Sequence, residues 1–383
     1  MIRSRGSSTA ATPAATVPAA ATTATTANTA NTAATAGSNI PDGARKESTK
    51  IRAVTLHDVA REAGVAVSTV SRALSNPERV SGRTRTHVQT VADRLGYRPN
   101  RIAQALPSGR TQMLALLVPD ITNPHNFGLV RGAEAQARAA GYTLIIGDTL
   151  QSPELEKAHL DRLSSIVDGF VLAASRLPDA DLYAVLGRGP VVLFGRQASG
   201  FSSVITDSVD GCRQIIDHLA ALGHRRIAYL AGPSTAWTDG QRWQALTRYG
   251  AQADLEIVRR GPFSPTLDSG AAAADIGVAS GATALVAFND LLAIGVLQRL
   301  EHHGIEVPQR VSVVGFDDIF GADFCHPSLT TVASPAEPAG RALIDLLLGL
   351  PGRRPEQQIV LPTLLRVRDS TGPASPSPRS TTL

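Results

Sequence analysis

The 383-residue chain is 43% apolar, with 37 Lys and Arg against 33 Asp and Glu, which fits two or three compact units with sizeable cores. Two distant cysteines, Cys212 and Cys325, exclude a disulfide scaffold or a cysteine-ligated metal centre, and no uncharged apolar run reaches the roughly 18 residues of a membrane span. The charge is uneven: residues 51–110 hold ten Arg against four acids, whereas residues 111–383 hold 22 Lys and Arg against 27 acids. A basic first part suits a phosphate backbone, although charge alone reads equally well as solvated surface.

Residues 1–53 are rich in Ala, Thr, Ser, Asn and Pro, without the Leu/Val-rich core of a secretory signal, and are expected to be a disordered tail. A cytoplasmic location follows as the expectation. Thr55-Leu-His-Asp58 then sets a hydroxyl three residues ahead of a carboxylate, a capping-box pattern that opens a short helix through Val59, Ala60 and Ala63. Gly64 stops it, because glycine tolerates the left-handed conformation of a tight turn. In the next helix Val67, Val70 and Leu74 form an apolar stripe, while Ser68, Thr69, Ser71 and Arg72 point elsewhere. Ser81 caps a third helix with Val88, Val91 and Leu95 on its apolar face, and Gly96 ends it. Three short helices with a glycine turn between the first two make a helix-turn-helix unit over 54–100, whose second helix would enter a major groove. There Arg72 suits a bidentate contact to guanine. From the pattern alone, a small helical bundle with a polar face stays open as the alternative.

From Met113 onward, apolar runs of five to seven residues alternate with helical stretches: MLALLV, YTLIIG, GFVLAA and PVVLFG, then RRIAYLAG, ALVAF and VSVVGF. Such strands, each followed by a helix, predict parallel sheets covered on both faces. The fold class expected is a small all-α head plus an α/β part of two doubly wound parallel-sheet lobes over 111–369, with a ligand cleft at the carboxyl ends of the strands. Residues 101–110 read as the linker between the two parts, and 370–383 as a second disordered tail.

VTLHDVAREAGVAVSTVSRAL at 54–74, with RVSGRTRTHVQTVADRLGYRPNRIAQAL at 79–106, resembles the DNA-binding head of the lactose-repressor (LacI) family of bacterial transcription regulators. VPDITNP, ALGHRRIAYLAGP, AFND and VSVVGFDD extend the resemblance to the family's two-lobed regulatory part, which is similar to periplasmic sugar-binding proteins, so that it covers 54–369. It implies that Val67, Ser68 and Arg72 read bases, and that Thr69 serves bases or phosphates. Thr55, Ser71, Asn76, Thr84 and Tyr97 fall among the phosphate-contacting positions. Asn100 begins the family's hinge helix, in which Ala103 permits close approach and paired Leu106 side chains wedge into the minor groove. RIAQAL is only about two turns, too short to be stable alone, so DNA and a second copy would order it. Pro107 then ends it. Ala66 departs from the family's frequent serine at that N-cap, a loss of about 1 kcal/mol.

For the effector, the resemblance implies Arg242, Asn289, Asp317 and an aromatic at Phe263, with Asn126 and Phe127 as further candidates. Each of these residue types also serves as a helix cap or strand-end turn. Asp290 and Asp318 are expected to cap the helices that follow them. Gly195 stands where sugar-binding relatives commonly have aspartate, Gly240 where an arginine often precedes Arg242 by two, and Ala245 where glycine is usual. The partners expected are a near-palindromic double-stranded DNA operator, a sugar-like small molecule and a second copy of the chain, with no membrane. No GxSxG, HExxH, P-loop or GxGxxG pattern occurs, so no enzyme, catalytic residue, metal or cofactor is expected. Glu301-His302-His303 reads as a solvated helix end and His224 as a turn residue. The competing class is a cytosolic solute-binding protein without regulatory DNA binding, which the two-lobed part alone would permit and the head opposes.

Overall fold

The computed structural model describes residues 54–75, 77–98, 110–185, 187, 189–349 and 356–375. The expected tail at 1–53, Asn76, and the hinge positions Asn100, Ala103 and Leu106 lie outside the described residues.

The head is built as its residues predict. Helix α1 (Leu56–Ala63) opens on the reciprocal capping box of Thr55 and Asp58 and ends at Gly64, whose φ is 65°. Helix α2 (Val67–Ser75) and, after a 3-10 turn, helix α3 (Gly82–Leu95) follow; Ser81 accepts from the Thr84 N–H to cap the latter. Val59 and Ala63 from α1, Val70 and Ala73 from α2, and Val88 and Val91 from α3 close one small core. Val67 and Leu74 pack at its edge rather than inside it.

Lobe 1 is a six-stranded sheet of order β11-β5-β4-β3-β1-β2, all parallel. Its strands are β1 (Met113–Val118), β2 (Thr143–Asp148), β3 (Phe170–Ala173), β4 (Val191–Phe194), β5 (Ser202–Thr206) and β11 (Gln358–Leu361). The two faces of β1 divide as a period of two requires. Leu114, Leu116 and Val118 join one core with helices α4 (His125–Ala139) and α11 (Ala336–Gly349), while Ala115 and Leu117 join the other, beside α5 (Pro153–Leu163) and α6 (Asp179–Val185).

Lobe 2 repeats the plan in order β12-β10-β9-β8-β6-β7, with β6 (Arg226–Leu230), β7 (Glu256–Arg260), β8 (Ala284–Ala287), β9 (Ser312–Asp317), β10 (Thr330–Ala333) and β12 (Leu364–Arg366). Here β12 runs antiparallel to β10. Helices α7 (Ser208–Ala221) and α8 (Trp237–Gln252) cover one face, and α9 (Gly270–Ala279) and α10 (Asp290–His302) the other.

The chain crosses between the lobes after β5, after β10 and between β11 and β12. The second crossing returns α11 to lobe 1, as the resemblance implies, where it lies across α4. Two glycines make that crossing close: a Cβ at Gly132 would overlap the Glu337 carbonyl oxygen, and one at Gly340 would overlap that of Leu129.

The expected boundary at 369 is corrected at the far end, because residues 370–375 belong to lobe 2. Ser370 is fully buried; its hydroxyl donates to Val313 O (2.6 Å) and accepts from the Thr330 N–H (2.8 Å). Gly372 O accepts from Ser312, and the Ala374 N–H donates to Leu222 O. Main-chain and hydroxyl bonds, rather than apolar burial, hold this segment.

Gly132→Ala should destabilise the protein by about 2 kcal/mol in urea unfolding, because overpacking against a carbonyl outweighs a helix-propensity gain of about 1 kcal/mol. A variant more stable than the parent would show that the two helices do not meet this closely.

Candidate functional site

The carboxyl ends of both sheets open on one interlobe cleft of about 740 Å³. From lobe 1 it is lined by Asp120 after β1, Gln151 after β2, Ala174 and Arg176 after β3, Gly195 after β4, and His125 and Asn126 at the start of α4. Lobe 2 contributes Thr238 and Arg242 from α8, Phe288 and Asn289 after β8, and Asp317 at the end of β9.

Arg242 is buried at the second turn of α8, its guanidinium stacked 3.9 Å from the centroid of Phe316 and bonded to Phe288 O. Asp317 Oδ1 lies 3.9 Å from Arg242 Nη2 and 3.7 Å from His125 Nδ1, so one carboxylate faces a cation of its own lobe and a ring of the other. Asp317 and Asp318 take positive φ values of 112° and 56°. Such conformations are costly for non-glycine residues and concentrate at ligand sites.

Their support is Asp290. It does not cap α10 as expected; its fully buried carboxyl accepts from the Ile319 N–H (2.9 Å) and bonds the Thr331 hydroxyl (2.6 Å). Asn289 takes the capping role, accepting from the Leu292 N–H and donating to Pro265 O. Burial, reinforced by the negative charge of Asp317, holds the Asp290 carboxyl well above the usual range. Asp318 is no cap either. It pairs with Arg368 at 2.6 Å and ties the loop after β9 to the C-terminal segment.

The structure thus brings Asn126, Arg242, Asn289 and Asp317 to the cleft and leaves two candidates outside its lining. Phe127 is 52% exposed on the outer side of α4, because successive helical residues diverge by about 100° and Asn126 takes the inward direction. Phe263 packs against the lobe 2 core beside Gly261. Arg176, Gln151 and His125 were not legible as site residues, although each follows an apolar strand run where parallel sheets expose their ligand edge. His224 is buried, bonding Thr283 and Gly372 O, rather than sitting in an open turn; burial lowers its pKa.

On the head, Ser68, Ser71 and Arg72 lie exposed along one side of α2. Thr69 and Val67 are half-buried. The hydroxyls of Thr55 and Thr84 are engaged with Asp58 and Ser81 at helix starts, and Tyr97 rests partly on the core, where burial raises its phenol pKa. Ala66 precedes α2 with only its carbonyl, which accepts from the Thr69 and Val70 N–H groups. The first amides of α2 therefore gain no side-chain cap from residue 66. Among the described residues, no helix is long and apolar enough to cross a membrane.

Residues 55–100 match the family model of bacterial regulatory proteins, lacI family, and residues 216–371 match that of a periplasmic binding protein-like domain. The chain is 34% identical over 313 residues to the HTH-type transcriptional repressor CytR of Escherichia coli (strain K12), covering 80% of this chain and 91% of that one. Its fold is similar to that of the lac repressor dimer bound to operator and the anti-inducer ONPF, with a TM-score of 0.76 and 28% identity over 84% of this chain and 100% of that one. A complex of the transcriptional regulator CelR with cellobiose matches with a TM-score of 0.62 and 32% identity over 83% and 99% of the two chains.

A raised carboxyl contributes stability that is full below its unfolded pKa and is lost as pH rises through its folded pKa. The Asp290 contribution to stability should therefore be lost as pH rises above about 4, by at most about 1.4 kcal/mol per pH unit. Asp290→Asn, whose amide satisfies the same two partners, should remove that part of the slope in urea titrations across pH. An unchanged slope would mean that Asp290 is ionised in the folded protein.

Proposed function

The chain belongs to the LacI family of bacterial regulatory proteins, and we propose that it is a cytoplasmic homodimeric repressor whose grip on a near-palindromic operator is set by a sugar-like effector in the interlobe cleft. The observation that carries this reading is the cleft itself, lined from both lobes and bridged by the His125–Asp317 contact, on the same chain as a helix-turn-helix head. The relatives support it: the lac repressor is seen as a dimer on operator, and CelR holds cellobiose.

In this mechanism Ser68, Arg72 and the half-buried Val67 face base edges, with Thr69 and Ser71 beside them. Thr55, Thr84, Tyr97 and Asn76 approach phosphates, which fix register without reading sequence. Arg242 and Asp317 hold the effector from lobe 2, with Asn126 opposite and Asn289 fixing the cleft wall. A ligand that contacts both lobes favours the lobe arrangement in which those contacts coexist. Whatever difference in hinge geometry accompanies that arrangement appears as a change in DNA affinity, and linkage requires DNA to change ligand affinity by the same factor. The hinge helix from Asn100 through Ala103 to Leu106 is the coupling element, ordered by the operator and a second copy.

Two substitutions separate the sites. Arg72→Ala should cost about 1–3 kcal/mol of discrimination at one base pair in competition binding, with effector affinity unchanged. Arg242→Ala should abolish the effector response in operator release and leave DNA binding intact. An Arg72→Ala protein with full sequence preference, or an Arg242→Ala protein that still responds, removes that residue from its site.

A further inference from the structure

The cleft holds two buried guanidinium groups whose donors are not all matched by partners among the described residues. Arg176 from lobe 1 and Arg242 from lobe 2 are each more than nine-tenths buried, both line the cavity, and the Nε of each has no hydrogen-bond partner among the described residues. Some side-chain acceptors around them are already engaged, while Asp317, Asn126 and Ser334 also line the cavity. Asn289 Oδ1 takes the Leu292 N–H at 3.0 Å, Asn123 Oδ1 the His125 N–H at 3.0 Å, and Asp120 Oδ1 the Thr122 N–H and hydroxyl at 2.8 and 2.6 Å. On the lobe 1 floor, Ala173, Ala174 and Gly195 bring no side-chain acceptor, and a Cβ at Gly195 would meet only Ala174, 4.0 Å away. Polyol hydroxyls both donate and accept, whereas an oxyanion offers acceptors alone and matches a guanidinium fork bidentately.

The charges point the same way. Asp317 faces Arg242, although at 3.9 Å it leaves the pair open. Arg176 lacks an equivalent. The carboxylate beside it, Glu156, spends its Oε2 on the Arg176 main-chain N–H, and its Oε1 has no hydrogen-bond partner among the described residues. Among the described residues, the Arg176 guanidinium hydrogen-bonds Gln151 Oε1, at 3.4 Å. Burial is the largest influence on both, lowering the Arg176 pKa and raising that of Glu156 despite the attraction between the two charges.

We propose that the effector carries an oxyanion, carboxylate or phosphoryl, which binds between Arg176 and Arg242 and joins the two lobes through paired guanidinium donors. This rests on the effector-cleft reading above and gives the ligand its class: a sugar acid or sugar phosphate rather than a neutral sugar. Planar forks on opposite walls are satisfied together only when the lobes approach a shared anion, so the anion itself favours closure.

The test uses the full chain and thermal melting with inorganic phosphate against chloride at matched ionic strength, and with gluconate against glucose. At least one anion should raise the melting temperature saturably. Arg176→Gln should weaken that response about 10–100-fold, the loss of a charge-assisted pair, and Arg176→Lys, which keeps the charge but not the fork, should fall between Arg176→Gln and wild type. Response to gluconate alone assigns a carboxylate, and response to phosphate alone a phosphoryl group. Anion binding at the basic head survives Arg176→Gln and is separated by that variant. The unliganded melting temperature and DNA affinity of Arg176→Gln report its folding; if it fails to fold, the Arg176→Lys response and that of Arg242→Gln decide. Absence of a saturable anion effect, or equal responses in wild type and the Arg176 and Arg242 variants, overturns the proposal. A neutral sugar that releases DNA from wild type and Arg176→Gln alike overturns it while leaving the effector-controlled repressor standing. Operator binding that no ligand alters would instead sink the effector-cleft reading.

Discussion

Three chain crossings between two complete sheets are the constraint from which the rest follows. Each lobe buries both faces of its sheet under helices, and such cores are close-packed and do not deform gradually. Relative motion is therefore confined to the crossings after β5 and β10 and between β11 and β12. Because parallel strands end at the same edge, those crossings and the ligand-facing residues share one neighbourhood. A small molecule there acts close to the pivot, where a few contacts bias the position of whole lobes.

The pivot is stiffened by a buried carboxylic acid. Asp290 links the start of α10, the loop after β9 and Thr331 of the crossing strand β10. Gly315 makes room for it, since a Cβ there would overlap Asp290 Oδ1. Through that joint the strained backbone of Asp317 and Asp318 is held in place, with the Asp318–Arg368 pair as a second tie. Positive φ values recur on the lobe 1 side of the cleft, at Gln151 (57°) and Ala174 (44°), so both walls carry sparsely populated backbone.

Local chemistry made much of this legible. The Thr55–Asp58 box, the Gly64 turn and the Ser81 cap are short-range features whose partners lie within three or four residues. Apolar strand runs likewise carry their own evidence of burial on both faces. What failed depended on distant partners. Asp318 and Asp290 have the residue type of a cap, but Arg368 and Thr331, far along the chain, claim them. Phe127 neighbours Asn126, and only the phase at which α4 leaves its loop decides which one looks into the cleft. Arg176 is an arginine after a strand like many others until Gln151 and the second lobe surround it. The segment after Asp369 has the composition of a tail, and its attachment through hydroxyls and peptide groups leaves no mark on hydropathy.

The glycine-to-backbone seam between α4 and α11 has a mechanical consequence. Contacts made by main chain on main chain have no rotamers to rearrange, so the seam cannot slip in small steps as interdigitated side chains can. The two helices behave as a single strut. One end of it carries His125 and Asn126 at the pocket wall, and that same end is continuous with the crossing at Ser334 and Pro335. A ligand that displaces the pocket end loads that connection directly, and the first yielding point along the chain is the short stretch where the strut begins.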